Sequence, residues 1–115
     1  MDDRLSKALE FSNFLETQNN QKRIFLAQYK EDLIFYTNGH KISVDRSLIS
    51  FCKSCVLSSE TSTWILDDNN IPVYIDNLEN FTNTVYKVYT DACKKYLDAY
   101  QSIKTQKSVQ GLVDL

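Results

Sequence analysis

The sequence predicts an α+β domain: two long antiparallel helices, one short helix and a small antiparallel sheet of about three strands. Three observations lead there. Gly occurs twice and Pro once in 115 residues, whereas sheet-rich folds consume those residues in turns. Apolar residues recur at helical spacing through both ends of the chain. Between them, Thr63-Trp64-Ile65-Leu66 and Ile71-Pro72-Val73-Tyr74-Ile75 flank four consecutive turn formers, Asp67-Asp68-Asn69-Asn70, which reads as a β-hairpin.

Asp2 or Asp3 caps a first helix predicted over about Arg4 to Tyr36. Its stripe is Leu5, Ala8, Leu15, Leu26, Tyr29, Leu33 and Tyr36. The same rhythm passes through Ser12, Asn19 and Lys22, so Gln18–Arg23 is either a solvated turn or a break. The sharper reading puts Asn19 at a helix–helix seam, where a polar side chain fixes register.

Thr37-Asn38-Gly39-His40 has two readings. Asn-Gly is a hairpin signal that would pair Phe35–Thr37 with His40–Ile42. It is also a left-handed helix terminator, and the long periodic run upstream favours the terminator. Either way, His40–Val44 alternates with period two as a short strand. Asp45 then caps a helix from Arg46 to about Leu57, apolar over most of its girth, with Val44 and Ile49 placed as a hydrophobic staple. Pro72 cannot donate to a ladder, so its strand belongs at an edge or shows that position to solvent. Three strands, with His40–Val44 joining the hairpin, make the smallest sheet expected to be stable.

Asp76 with Glu79 forms a capping box for the last helix, predicted from Asn77 to about Lys107. One stripe is Leu78, Phe81, Val85, Val88, Ala92, Ala99 and Ile103; a second is Tyr89, Cys93, Tyr96 and Tyr100. Together they exceed what one neighbour covers. Gly111 should stop the helix, leaving Leu112, Val113 and Leu115 on a tail. The chain therefore reads as one domain, residues 1–107, and a C-terminal tail, 108–115, whose apolar residues suit a partner's groove.

A chain of this length buries roughly two-thirds of the surface its unfolded form exposes, enough for one core. The formal charge of −2 gives no reason to expect a phosphate backbone as partner. Three Cys residues argue against a disulfide framework and for a reducing, cytoplasmic setting. No signal peptide and no apolar run near the ~18 residues of a membrane span is read, so no membrane partner is expected.

Chemistry finds little foothold. Cys52-Lys53-Ser54-Cys55 has the spacing of a metal or redox pair, but only Cys93 and His40 could complete four zinc ligands, and neither forms a second close pair. A redox pair would also open a helix after a strand. Asp67–Asn70 lacks the central Gly and bidentate Glu of a calcium loop. His40 is the only histidine, so any nucleophile–imidazole relay needs it. No Gly-rich phosphate loop is present. No catalytic residue, metal ligand or cofactor is assigned. Seven tyrosines could stack bases beside Lys94, Lys95 and Lys104, but a helical Tyr stripe more often forms core or protein interface.

Ala8-Leu9-Glu10-Phe11-Ser12-Asn13, Asn19–Arg23, Asp67–Pro72 and the ending Ser108–Leu115 together resemble a group of small proteins of T-even-like tailed phages of marine bacteria. That resemblance implies a phage origin and a host-cytoplasmic or virion setting, and supplies no site residues. The ending Leu112-Val113-Asp114-Leu115 is loosely similar to apolar–acidic tails with which some phage replication and late-transcription factors bind a sliding clamp.

The expected function is non-enzymatic: a protein-interaction or assembly factor that self-associates into a homo-oligomer through Tyr89, Cys93, Tyr96 and Tyr100. The alternative is a nucleic-acid or transcription and replication accessory docking through Leu112, Val113 and Leu115. A thiol or zinc protein is the third class.

Overall fold

A computed structural model describes residues 3–113, with side chains described through residue 104. The chain is mostly helical with two small antiparallel sheets. The order is α1 (Asp3–Asp32), β1 (Ile34–Thr37), β2 (His40–Ser43), α2 (Arg46–Leu57), β3 (Thr63–Leu66), β4 (Pro72–Ile75) and α3 (Leu78–Val113). It divides into two compact units: residues 1–28 with 95–115, and residues 29–94.

The unit of residues 29–94 contains both hairpins and the main core. Its first hairpin corrects the sequence expectation. Helix α1 stops at Asp32, four residues before the predicted end at Tyr36, and Ile34–Thr37 pairs with His40–Ser43. Asn38 and Gly39 both hold positive φ, 49° and 80°, which is the demand of a type I′ turn. Apolar residues at Leu33, Ile34, Phe35 and Tyr36 suit a strand as well as a helix, so the turn decides. The register joins Phe35 to Ile42 and Thr37 to His40, and the Val44 N–H donates to the Leu33 carbonyl at 2.8 Å to close the open end.

Asp45 caps α2 from extended backbone, its carboxylate accepting from the Leu48 N–H at 2.7 Å. Helix α2 buries one face, Ile49, Cys52 and Cys55, while Phe51 and Leu57 stay exposed, so it is not apolar-packed round its girth as expected. The helix ends in a Schellman turn: Ser59 N–H bonds Val56 O, and Glu60 N–H bonds Cys55 O. Ser59, at φ 64°, occupies the position usually given to Gly.

The second hairpin has the register Trp64–Tyr74, Ile65–Val73 and Leu66–Pro72. Asp67 N–H donates to Ile71 O, so the ladder alternation makes Leu66–Pro72 a non-hydrogen-bonded pair. Pro72 therefore forfeits no ladder bond. Helix α3 begins one residue later than predicted. Its cap is Asn77, which accepts from Asn80 N–H, while Asp76 accepts from Asn77 N–H.

No three-stranded sheet forms: β1–β2 and β3–β4 are separate. Their inner faces share one core of Ile42, Val44, Ile65, Val73 and Ile75 with Ile49, Cys52 and Cys55 of α2 and Leu78, Phe81 and Val85 of α3. Phe35 meets Phe81 edge-to-face at 6.1 Å.

The other unit is a helix pair. Gln18 Nε2 donates to Ile103 O at 3.2 Å, and the Lys22 ammonium lies 5.6 Å from the Tyr100 ring centroid. As residue numbers rise along α1 they fall along α3, so here the helices are antiparallel. Helix α1 is unbroken through its polar middle. The buried polar residue at the seam is Gln18, not Asn19, which is exposed. In α3 the backbone stays helical through Gly111 to Val113, so the predicted stop near Lys107 is not taken.

Candidate functional site

Two aspartates in the β3–β4 turn do more than reverse the chain. Asp67 Oδ1 accepts from the N–H groups of Asn69 and Ile71 at 2.8 and 2.9 Å, bracing the turn, and Asn70 completes it at φ 61°. Its Oδ2 accepts from His40 Nδ1 at 2.7 Å, so that ring nitrogen carries a proton. Asp67's side chain is 3% exposed. The His40 hydrogen bond first, and the Ile71 N–H next, hold its carboxyl below the usual carboxylate range.

Asp68 replaces the missing third strand. In a two-residue hairpin, Lys41 and Ser43 point their backbone groups away from β1. Asp68 meets both: its N–H donates to Lys41 O at 2.9 Å and its carboxylate accepts from Ser43 N–H at 2.8 Å. Ser43 Oγ adds a third bond at 2.7 Å. These contacts from Ser43, the hydroxyl first, hold Asp68 below the usual range as well. The His40–Asp67 pair is thus half of a structural clasp between hairpins.

The cysteine pair points inward. Cys52 is wholly buried and Cys55 nearly so. Burial is the main cause that pushes both thiols up, which disfavours the thiolate needed by a nucleophile or metal ligand. Among the described residues, no group of three or more His, Cys, Asp or Glu side chains could hold a metal. No helix among them is long and apolar enough to cross a membrane.

Of the four residues predicted to form one interaction face, Tyr89 and Cys93 belong to a cluster in the 29–94 unit. Arg46 Nε donates to Tyr89 OH at 2.7 Å, and Tyr29 OH lies 3.4 Å from Cys93 Sγ. That Cys93 contact, followed by burial, raises the Tyr29 phenol above its ordinary value. Tyr96 and Tyr100 belong to the helix pair, with ring centroids 6.2 Å apart. Tyr100 is exposed and Tyr96 half-buried. Side chains of Leu112 and Val113, and all of Leu115, lie outside the described residues.

The surface not anticipated is the outward face of β3–β4. Strand alternation sends Ile65, Val73 and Ile75 into the core and leaves Trp64, Leu66, Pro72 and Tyr74 outside. Trp64 is 62% exposed, Leu66 58% and Tyr74 49%. Trp64 and Tyr74 face each other at a non-hydrogen-bonded position, where side chains approach closely, and their rings lie 5.1 Å apart. Ile71, also exposed, extends the apolar surface. The signal was legible: consecutive apolar residues in Trp64-Ile65-Leu66 and Pro72-Val73-Tyr74-Ile75 leave one apolar set facing out whatever the register. A cleft of about 160 Å³ beside Tyr74, lined also by Thr37, Asp76, Asn80 and Phe81, is smaller than the roughly 300–1,000 Å³ of sites that enclose drug-sized ligands.

Comparison with family models, with curated proteins and with solved structures finds no match to this chain.

Proposed function

We propose that the protein is a non-enzymatic interaction or assembly factor whose working surface is the outward face of the β3–β4 hairpin. One observation carries this reading: Trp64, Leu66, Pro72 and Tyr74 form a contiguous, solvent-exposed apolar face on a hairpin whose other face is already packed. Contiguous exposed apolar surface of this kind marks binding sites on soluble proteins. Trp and Tyr are the residues that most often anchor interfaces, because a rigid ring buries much area for little lost side-chain freedom. The clasp of Asp67 and Asp68 supports the reading, since it holds the hairpin that presents these rings.

A photo-crosslinking residue in place of Leu66 tests it in cells that express the protein. A discrete adduct, lost when Trp64→Ser is added and absent with the crosslinker at exposed Asn83 of α3, supports the proposal. No adduct, or the same adducts from both positions, sinks it. Far-UV circular dichroism and an unchanged melting temperature show that Trp64→Ser still folds.

A further inference from the structure

The turn of the first hairpin leaves one asparagine chemically open. Thr37 pairs with His40 at the closed end of β1–β2, so Asn38 and Gly39 alone make the loop. Both are exposed. A two-residue turn spends the N–H of its fourth residue, here His40, on its own hydrogen bond. The Gly39 N–H meets no acceptor among the described residues, and the Asn38 side-chain amide has no partner there either. Apart from the adjoining residues, no atom lies within 4 Å of the place a Cβ would take at Gly39.

That free N–H decides the chemistry. Asparagine is a thermolabile residue, lost when the backbone nitrogen of the next residue attacks its side-chain carbonyl carbon. A nitrogen held in a hydrogen bond protects the asparagine before it, and every other asparagine of the chain has that protection. The nitrogens after Asn13, Asn19 and Asn20 lie inside α1, and that after Asn83 inside α3, where they donate along the helix. After Asn69, the Asn70 N–H donates to Asp67 O; after Asn70, the Ile71 N–H donates to Asp67 Oδ1. After Asn77, the Leu78 N–H donates to Thr61 O; after Asn80, the Phe81 N–H donates to Asn77 O.

We propose that Asn38 is a site of self-modification, its deamidation to isoaspartate in the Asn38–Gly39 turn loosening the clasp between the hairpins. Hydroxide takes the Gly39 amide proton, and the nitrogen attacks Asn38 Cγ to form the N–Cγ bond of a cyclic imide. The Cγ–Nδ2 bond breaks, and the side-chain nitrogen takes a proton from water and leaves as ammonia. Water then adds to one of the two imide carbonyls. Opening at the Asn38 backbone carbonyl gives isoaspartate, and opening at Cγ gives aspartate.

The consequence falls on His40. Isoaspartate carries the chain through Cβ and Cγ, adding a backbone carbon to a two-residue loop whose φ values are 49° and 80°. Loop length fixes hairpin register, so the Thr37–His40 pair beside it is displaced. His40 is the residue that holds Asp67 at 2.7 Å. The change runs one way, because the ammonia is lost.

The full chain, held in mildly alkaline buffer either folded or in urea and then mapped by peptide mass spectrometry, tests this. Asn38 should convert in the folded protein at a rate of the same order as in urea, with the other asparagines lagging behind it. Isoaspartyl methyltransferase should label the product. Converted protein should melt lower than fresh protein, and the drop should shrink in Asp67→Asn, where the clasp is already weakened. Asn38→Asp, which adds the charge without lengthening the backbone, should melt close to fresh protein. Asn38 intact in the folded protein while it converts in urea overturns the proposal, as does equal conversion of Asn69 or Asn77 in the folded protein. A drop undiminished in Asp67→Asn, or Asn38→Asp melting as low as the converted protein, overturns the link to the clasp.

Discussion

The two units put helices to different use: one packs them against two hairpins, the other only against each other. Twelve of the thirteen buried hydrophobic side chains among the described residues lie between Tyr29 and Lys94; Ile103 alone belongs to the helix pair. In the first case side chains from two hairpins and two helices converge on Leu78, Val85 and Cys52. In the second, one antiparallel seam encloses a glutamine and an isoleucine. Long helices alone do not make a core, and helical stability comes mainly from what packs on the apolar face.

Truncating the best-packed residue gives the sharpest contrast. Leu78 is fully buried in the first turn of α3, and Leu78→Ala should cost about 2–5 kcal/mol by lost burial and the cavity left behind. At roughly 3–6 °C per kcal/mol for a chain of this length, the melting temperature should fall by about 6 °C or more. Ile103→Ala should cost at most about 2 kcal/mol, the lower limit for such a truncation, because half-buried neighbours collapse around it. Equal losses from the two changes would break the comparison. Native-state hydrogen exchange offers a second measure: amides of α1 near Gln18 should open at lower free energy than those of α2 near Cys52.

The clasp sets how the core-bearing unit responds to acid. Asp67's folded pKa lies below the ordinary 3.8, so its stabilisation is complete above that value and is lost as pH falls through the lower folded value. Asp68 is shifted in the same direction and adds to the same window. Melting temperature should therefore fall below about pH 4 more steeply in the wild type than in Asp67→Asn, which lacks the titrating group. At neutral pH the variant should melt several degrees lower. Parallel curves would mean that the contacts of the Asp67 carboxylate add no pH-dependent stability.

Much of this layout was legible in the residues, and the misses have particular causes. The Asp45 cap, the second hairpin, the solvent-facing Pro72 and the antiparallel course of the long helices follow from local turn and cap chemistry, which depends on few neighbours. The first hairpin was outvoted by periodicity because Ile34-Phe35-Tyr36 satisfies a helical and an extended pattern equally. The stripe's rhythm passes through Asn19 while the seam takes Gln18, because a short stripe leaves helical phase uncertain by one residue, or about 100°. A third strand is expected because three strands make the smallest stable sheet; that an aspartate side chain instead meets the outer edge of β2 depends on a contact 25 residues away. The exposed Trp64–Tyr74 face follows from consecutive apolar residues in both strands, which leave one apolar set outside in any register.

The smallest effect lies at the end of α2, in the core-bearing unit. Ser59 holds φ 64° inside a Schellman turn that satisfies the carbonyls of Cys55 and Val56. A left-handed backbone costs a residue with a side chain about 1–2 kcal/mol, while Gly loses about 0.5–1 kcal/mol more entropy on folding. Ser59→Gly should therefore stabilise by roughly 0.5–1 kcal/mol, a rise of a few degrees in melting temperature. The increase should appear equally in Ile103→Ala, since the turn belongs to the unit of residues 29–94. A rise seen only while Ile103 is intact would couple the α2 terminus to the helix pair and undo the contrast between the two units.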